Sequence, residues 1–234
     1  MATQGVIPLQ LAGETLTLLP QRAILWPDRR TLILADPHIG KDDTFRRAGI
    51  PVPCAVAEAD FARLNALVTD HRPERLVILG DLLHARLADR DHCLALLRGW
   101  RDTYTGEVLL VRGNHDLHAG NPPADLGFGV VDEPHRDGPF EYRHFPLPNH
   151  PSTQDEDADP PVHILAGHLH PGVTIRLDRL QARRVPCFHV TRNQTVLPAF
   201  GAFTGTARID PNTLGELYAV GSDRVIKLPR PVLA

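Results

Sequence analysis

The chain is poor in four things, and each absence excludes something. Cysteine occurs three times in 234 residues, at Cys54, Cys93 and Cys187. An odd number so widely spaced builds neither a disulfide framework nor a paired-thiolate zinc site, and it fits a reducing cytoplasm. Lysine is almost missing: of 25 basic residues only Lys41 and Lys227 are lysines. Arginine forks suit phosphate, but such lopsided usage is explained as simply by genome composition. Positive charge is not in excess, since 28 acidic residues bring the formal net charge to -3. No overall field draws in nucleic acid, so any such affinity has to come from a local arginine patch. Finally, no run approaches the roughly 18 uncharged apolar residues that cross a bilayer, so no membrane partner is expected. Residues 1–16, MATQGVIPLQLAGETL, have neither a basic n-region nor an apolar h-region. Export by the usual signal is therefore not expected.

What remains is a globular composition, with 42% hydrophobic and 23% charged residues, which excludes wholesale disorder. With no internal repeat and no separate linker, residues 1–234 read as one domain. The stretch 146–161, PLPNHPSTQDEDADPP, is rich in proline and acids and is expected to be a mobile surface loop. Alternation on both sides of Ala12-Gly13 predicts a hairpin, and Ala23–Trp26 a further short strand. Four apolar runs without helical period follow: Thr31–Asp36, Arg75–Asp81, Glu107–Asn114 and Val162–His168. They read as buried strands. Apolar residues at helical spacing predict a helix over Ala55–Asp70, and a second is expected over Leu87–Trp100. Strands alternating with helices give an α/β fold with parallel strands. Short strands near Cys187–Thr191 and Thr195–Leu197, the glycine-rich FGAFTG turn and a hairpin around Gly221-Ser222 predict a second, more antiparallel sheet.

Each of the four runs ends in side chains able to bind metal. The clusters are Asp36-Pro37-His38, Gly80-Asp81 with His84, Gly113-Asn114-His115-Asp116, and Gly167-His168 with His170. In open α/β sheets ligands bind outside the carboxyl ends of the strands, so the topology collects residues distant in sequence. The glycines before the polar groups allow tight turns and close backbone approach. The chain also has 13 histidines, and histidine is the commonest metal ligand. Carboxylates, imidazoles and one amide, without thiolate, suit manganese, iron or zinc better than softer metals. There are too many ligands for one tetrahedral site. Two divalent ions roughly 3.5–4 Å apart and sharing a carboxylate would use them all, polarising a phosphoryl group and lowering the pKa of a bridging water.

The order D-x-H, GD, GNHD, H, GHxH over Asp36–His170 resembles the signature of the calcineurin-like binuclear metallophosphoesterases. The resemblance implies a two-sheet β-sandwich flanked by helices, an αββα arrangement within the α/β class. It implies that Asp36, His38 and His170 hold one metal, that Asp81 bridges, and that Asn114, His168 and a further histidine hold the other. It implies that His115 binds no metal but stabilises charge at the scissile phosphate or protonates the leaving oxygen, with Asp116 placed to orient it. The further histidine is one of His144, His150 and His163. His163 stands near the start of a buried strand and His150 in the proline-rich loop. The choice falls on His144, which follows a short strand and precedes a turn.

The segments GKDDTFRRAGIPVP, GHLHPGV and PCFHV…LPAFGAFTG are similar to the ligase-associated DNA damage response endonucleases, the PdeM type, over about Leu32–Thr206. That likeness implies a manganese-dependent phosphodiesterase and DNA endonuclease of DNA repair, with single-stranded DNA as the expected partner. It also implies functional association with a DNA ligase, a helicase and an exonuclease. The acidic stretch Gln154–Asp159 departs from the group's pattern and would repel DNA near a cleft.

Each motif has a bland counterpart. Alone, Gly-Asp after a strand is a turn, GNHD an Asx turn and GHLH a packed strand end; their joint occurrence at four strand ends favours metal. Arg46 and Arg47, in the loop after the first block, and Arg112, just before GNHD, either clamp phosphate or solvate a surface. His84 either lines the pocket or makes a structural hydrogen bond. His71, His92, His118, His135, His150 and His189 are expected on the surface or satisfied. Phe200 and Phe203 are expected in the core rather than stacked on a base. Two other functions compete: the same chemistry on a small nucleotide or other phosphate ester, and a metal-free scaffold of the same fold. Hydrolysis of a bis-aryl phosphate without DNA cleavage would mark the first, and a purified protein without metal the second.

Overall fold

The structure, a computed structural model, describes residues 5–53, 55–88, 91–148, 162–176, 182–209 and 213–229. Its first sheet takes β1 (Ile7–Leu11), β2 (Glu14–Leu19), β3 (Ala23–Trp26), β4 (Thr31–Leu34), β5 (Arg75–Leu79), β6 (Glu107–Val111) and β7 (Phe128–Val131), in that spatial order. β1 to β4 pair antiparallel, with Leu11 opposite Glu14 across the Ala12-Gly13 turn. β4 to β7 pair parallel. Parallel neighbours need crossover connections, and these carry α1 (Lys41–Arg47), α2 (Ala55–His71), α3 (His92–Thr103) and α4 (Asn114–Ala119).

The second sheet takes β8 (His135–Asp137), β9 (Phe140–Tyr142), β10 (His163–Ala166), β11 (Pro171–Arg176), β12 (Ala182–Val190), β13 (Gln194–Val196) and β14 (Ala207–Arg208), with β15 (Glu216–Val220) and β16 (Val225–Lys227) joined through β12. It is the more antiparallel of the two, but β10 runs parallel to both β9 and β13.

In β4, β5 and β6 one unbroken apolar run serves two cores, as expected of parallel strands covered on both faces. Ile33, Val77, Leu79 and Val111 face inward and share a core with Phe140, Tyr142, Leu165, Phe188 and Tyr218 of the second sheet. Their neighbours Leu32, Leu34, Leu76, Ile78, Val108 and Leu110 face outward, towards Phe61, Leu64 and Leu67 of α2 and Leu97 and Trp100 of α3. Burial of each such side chain stabilises by about 1.5–3 kcal/mol relative to exposure. The outer face of the second sheet carries a smaller cluster, Val173, Cys187, Leu217 and Ala219. Among the described residues no helix packs on it, so the helices stand on the first sheet alone.

The elements depart from the sequence expectation in three places. α3 begins at His92 and not Leu87, because Asp91 takes the N-cap and its Oδ2 accepts the Ala88 N–H at 2.7 Å, turning the preceding chain. Arg46 and Arg47 stand on α1, not in a loop. The fourth apolar run, β10, lies in the second sheet, which periodicity does not specify. From residue 149 to 161 the proline-rich stretch, and His150 with it, lies outside the described residues. Among the described residues no helix is long and apolar enough to cross a membrane.

Candidate metal centre

The segments that follow β4, β5, β6 and β10 meet where the two sheets adjoin. The first two are joined by backbone hydrogen bonds: Asp36 N to Gly80 O (3.2 Å), His38 N to Asp81 O (2.9 Å) and His84 N to Ile39 O (3.0 Å). The other two are drawn in by carboxylates. Asp36 Oδ2 accepts the His168 N–H at 2.9 Å, and Asp81 Oδ1 accepts the His115 N–H at 2.8 Å.

The gathering strains the chain. Nine non-glycine residues among those described have positive φ, and five of them are Asp36 (53°), His38 (49°), Asp81 (50°), His168 (68°) and His170 (47°). Each costs on the order of 1 kcal/mol or more, and such strain clusters where function demands a geometry. The glycines of the motifs serve the same packing. A Cβ on Gly80 would lie 2.1 Å from His144 Nδ1, one on Gly113 2.3 Å from Asp81 Oδ1, and one on Gly167 2.7 Å from Asp36 Oδ2. Each glycine thus leaves room for a polar side chain borne by another strand. Gly80 also needs its φ of 79°, whereas Gly113, at φ -98°, is required for space and not for a turn.

Two donor groups result: Asp36, His38 and His170, and Asp81, His144 and His168, the ligand atoms within each lying within 4.8 Å of one another. Asp81 faces both, with Oδ2 3.7 Å from His38 Nε2 and Oδ1 3.5 Å from His144 Nε2. His144 Nδ1 lies 3.2 Å from the Leu79 carbonyl, which can only accept, so the ring proton sits there and Nε2 presents a lone pair. That lone pair points at Asn114 Oδ1, 2.9 Å away, with His168 Nδ1 at 3.1 Å. Two facing acceptors repel unless a cation lies between them. In the first group His38 Nε2 and His170 Nε2 stand 3.2 Å apart. Asp36 Oδ1, in a side chain without exposure, has no hydrogen-bond partner. Unmatched acceptors of hard oxygen and borderline nitrogen type fit a divalent cation in each group. Burial, followed by the neighbouring His170, pushes the His38 pKa down to about 2. Burial also lowers that of His168. Both rings are therefore neutral at ordinary pH, the form that ligates metal.

His115 sits beside the first group, its ring centroid 5.0 Å from that of His38 and stacked at 4.7 Å on His84. Its Nδ1 lies 3.2 Å from the His84 carbonyl oxygen, which fixes the ring proton there and leaves Nε2 to take up or give a proton. Asp116 does not orient this ring, contrary to the sequence expectation. Its oxygens accept the backbone N–H groups of Leu83 (3.0 Å) and Gly113 (2.9 Å), and so fasten the start of α4 to the β5 loop. His84 lines the site with His38 and His115, and burial, then His115, lowers its pKa to about 4.

The three arginines, open in the sequence between clamping phosphate and solvating a surface, each lie near a carboxylate. Arg46 pairs with Asp42 and Asp43 on its own helix, and Arg112 makes a bidentate pair with Asp132. Neither is free to clamp phosphate. Arg47 stands 3.6 Å from Asp91 at the surface. His163 is buried, with Nε2 2.9 Å from Thr195 Oγ1. Phe200 lies in the core, and Phe203 meets Phe45 edge-on. Two residues escaped sequence reasoning. Glu133 accepts the backbone N–H groups of His144 (2.6 Å) and Phe145 (2.9 Å), and Phe145 lays its ring 4.3 Å from that of His168. No spacing marks Glu133, which stands on a connection eleven residues before the histidine it positions.

A profile of the calcineurin-like phosphoesterases matches residues 29–186. Among solved structures, the crystal structure of Pseudomonas putida nuclease MPE is 41% identical, with a TM-score of 0.79, over 95% of this chain and 100% of that one. The search of curated proteins finds no match. A profile spanning most of the strands that carry the donors, and a relative matched over its whole length, agree with the two-sheet architecture. On these grounds the chain belongs to the calcineurin-like phosphoesterase family and is a metal-dependent phosphoesterase.

Proposed function

We propose that this phosphoesterase is a two-metal phosphodiesterase that cuts DNA. The observation that carries the reading is Asp81, whose two oxygens address the two histidine groups separately, at 3.7 Å and 3.5 Å. Asp36, His38 and His170 would hold one ion and Asn114, His144 and His168 the other, with Asp81 placed to serve both. Bound there, the pair polarises the phosphoryl group and makes a water nucleophilic at neutral pH. The chain's own residues do the rest. Asp36 and Asp81 supply the negative charge that retains the ions. The Leu79 carbonyl holds His144 in the tautomer that ligates. His115, anchored through Nδ1, holds a proton at Nε2 for the departing oxygen, and His84 stacks behind it.

Cleavage of nucleic acid is supported by the Pseudomonas putida relative, whose title names it a nuclease. Manganese is the metal proposed, with iron or zinc as alternatives that the mixed oxygen and nitrogen donors also accept. Single-stranded DNA as substrate, a place in DNA repair beside a ligase, a helicase and an exonuclease, and a cytoplasmic site of action rest on the resemblance of the motif-flanking segments.

The test is metal-stripped protein reloaded with Mn2+ and given a bis-aryl phosphate and a single-stranded DNA circle, with Asp81→Ala as control. Metal-dependent turnover of both substrates by wild type alone is expected. Turnover of the ester with the circle left intact would remove the nuclease reading, and turnover of neither would remove the phosphodiesterase.

A further inference from the structure

We propose that the arm formed by β11, β12 and β14 is the surface that holds the phosphate backbone of a nucleic-acid substrate, through Arg176, Arg184 and Arg208; the proposal rests on the nuclease reading above. A chain of net charge -3 needs a local cationic surface for such a partner. Many arginines elsewhere are spent on carboxylates: Arg30 on Glu74, Arg63 on Asp60, Arg75 on Asp137, Arg98 on Asp125, Arg112 on Asp132. The arm is different. β11, β12 and β14 contain no acidic residue, and all four of their arginines, the three named and Arg183, are exposed. Among the described residues no carboxylate pairs with them. The one bond made there is from Arg184 Nη1 to the Thr206 carbonyl, at 3.1 Å.

The register puts the three on one face. Thr174 stands opposite Arg184, and Gly172 opposite Arg208. Side chains alternate along a strand, so Gly172, Thr174, Arg176, Arg184 and Arg208 look the same way. A Cβ on Gly172 would accordingly lie 3.3 Å from Arg184 Cγ. Further along β12 the same alternation reaches Phe188, in the core between the sheets, while Cys187 belongs to the outer cluster. The arginine face is thus the inner face of the second sheet, continued to where its side chains are exposed. A recess of about 350 Å3 lined by Thr174, Arg176, Arg208 and Ile209 opens there. Two guanidinium groups, those of Arg176 and Arg208, border it, and such forks suit phosphate oxygens.

The arm is also rooted in the metal centre. β11 starts at Pro171, directly after His170, and the Ala207 N–H donates to the His170 carbonyl at 2.9 Å. From Pro171 to Arg176 the strand runs roughly 17 Å at 3.3 Å per residue. That is a few nucleotides from the scissile bond, within the footprint of single-strand binding surfaces. Phosphate contacts of this kind position a strand without reading its bases.

The test measures binding by the Mn2+-loaded protein of a fluorescent single-stranded DNA whose phosphorothioate linkages resist cutting, across a salt series. In the triple variant R176A/R184A/R208A the Kd should rise about tenfold at low salt. The slope of log Kd against log salt should flatten by about 2, since each lost contact on a single strand removes about 0.7. The triple lysine variant should keep most of the slope, because charge and not shape sets it. Arg183→Ala, beside Ile175 on the opposite face, should bind like wild type. Turnover of a bis-aryl phosphate by the alanine triple reports an intact metal centre. A folded triple variant with wild-type Kd and slope, or a wild-type protein that does not bind the strand, overturns the proposal. A wild-type protein that binds through these arginines but never cuts ordinary DNA would overturn the nuclease reading instead.

Discussion

The two sheets furnish the centre with unlike donors. The first brings both carboxylates, Asp36 and Asp81, with the amide of Asn114 and one imidazole, His38; the second brings imidazoles only, His144, His168 and His170. All the formal charge that retains two divalent ions therefore stands on segments stitched together behind β4 and β5. The second sheet would complete the coordination with imidazoles. Loss from the first side should abolish binding, and loss from the second should loosen it. The sharpest test of the contrast is Asp81→Ala against His144→Ala. The aspartate variant should lose both ions and fall at least about a thousandfold in diester turnover. The histidine variant should keep an ion in the first group. Metal content by atomic emission decides, and equal depletion in the two variants would break the distinction.

A second contrast separates donors from the group that handles the proton. His115→Ala should retain metal yet lose about 10²–10⁴ in kcat, the range for a positioned acid. Asp116→Asn should behave differently from either. Its carboxylate accepts two backbone N–H groups and touches no reacting atom, so it should destabilise the fold by about 1–3 kcal/mol in urea while kcat changes little. A large kcat loss at unchanged stability would return Asp116 to the role of orienting His115.

The seam between the sheets can be tested at a glycine. Gly80→Ala combines a φ of 79° with a Cβ placed 2.1 Å from His144 Nδ1, on the other sheet. Gly49 has a φ of 81° and nothing within 4 Å. Gly49→Ala should thus cost about 1 kcal/mol of backbone strain alone. Gly80→Ala should cost several and should also weaken metal binding by displacing His144. Similar losses at both positions would mean that the seam is not tightly filled.

The contrast also explains what could be read from sequence. The first sheet's donors sit in compact motifs, since a strand end, a glycine and the polar residue are adjacent in the chain, and their strands alternate with helices. GHLH on the second sheet was legible for the same reason. His144 was harder, because a lone histidine has no neighbours to fix its role. What secures it in space is Glu133, Leu79 and the gap at Gly80, from two other segments. The membership of β10 in the second sheet was not legible, since an apolar run looks alike in either. Arg46 and Arg112 stayed open between phosphate and surface for a related reason. Their position beside the motifs was right, but Asp42, Asp43 and Asp132 take their charge, and a carboxylate partner is invisible until the chain is folded.

The last contrast concerns a histidine that belongs to the second sheet but to neither donor group. His163 is buried against Thr195 and, through that burial, has a pKa lowered to about 4 from an ordinary 6.5. Above pH 6.5 neither the folded nor the unfolded chain protonates it, and its contribution to stability is fully present. As the pH falls from 6.5 towards 4 the unfolded chain takes up the proton and the folded one does not, so stability declines, by at most about 3 kcal/mol for a shift of that size. Below about pH 4 both states are protonated and the decline from this group ends. Measured by urea unfolding with a chelator present, so that metal release does not contribute, His163→Gln should be less stable than wild type at pH 7. It should also lose less on going from pH 7 to pH 4.5. If the variant keeps the full wild-type acid sensitivity, the acid-labile buried imidazoles are those of the metal centre, and the second sheet is bound to the first more by its donors than by its core.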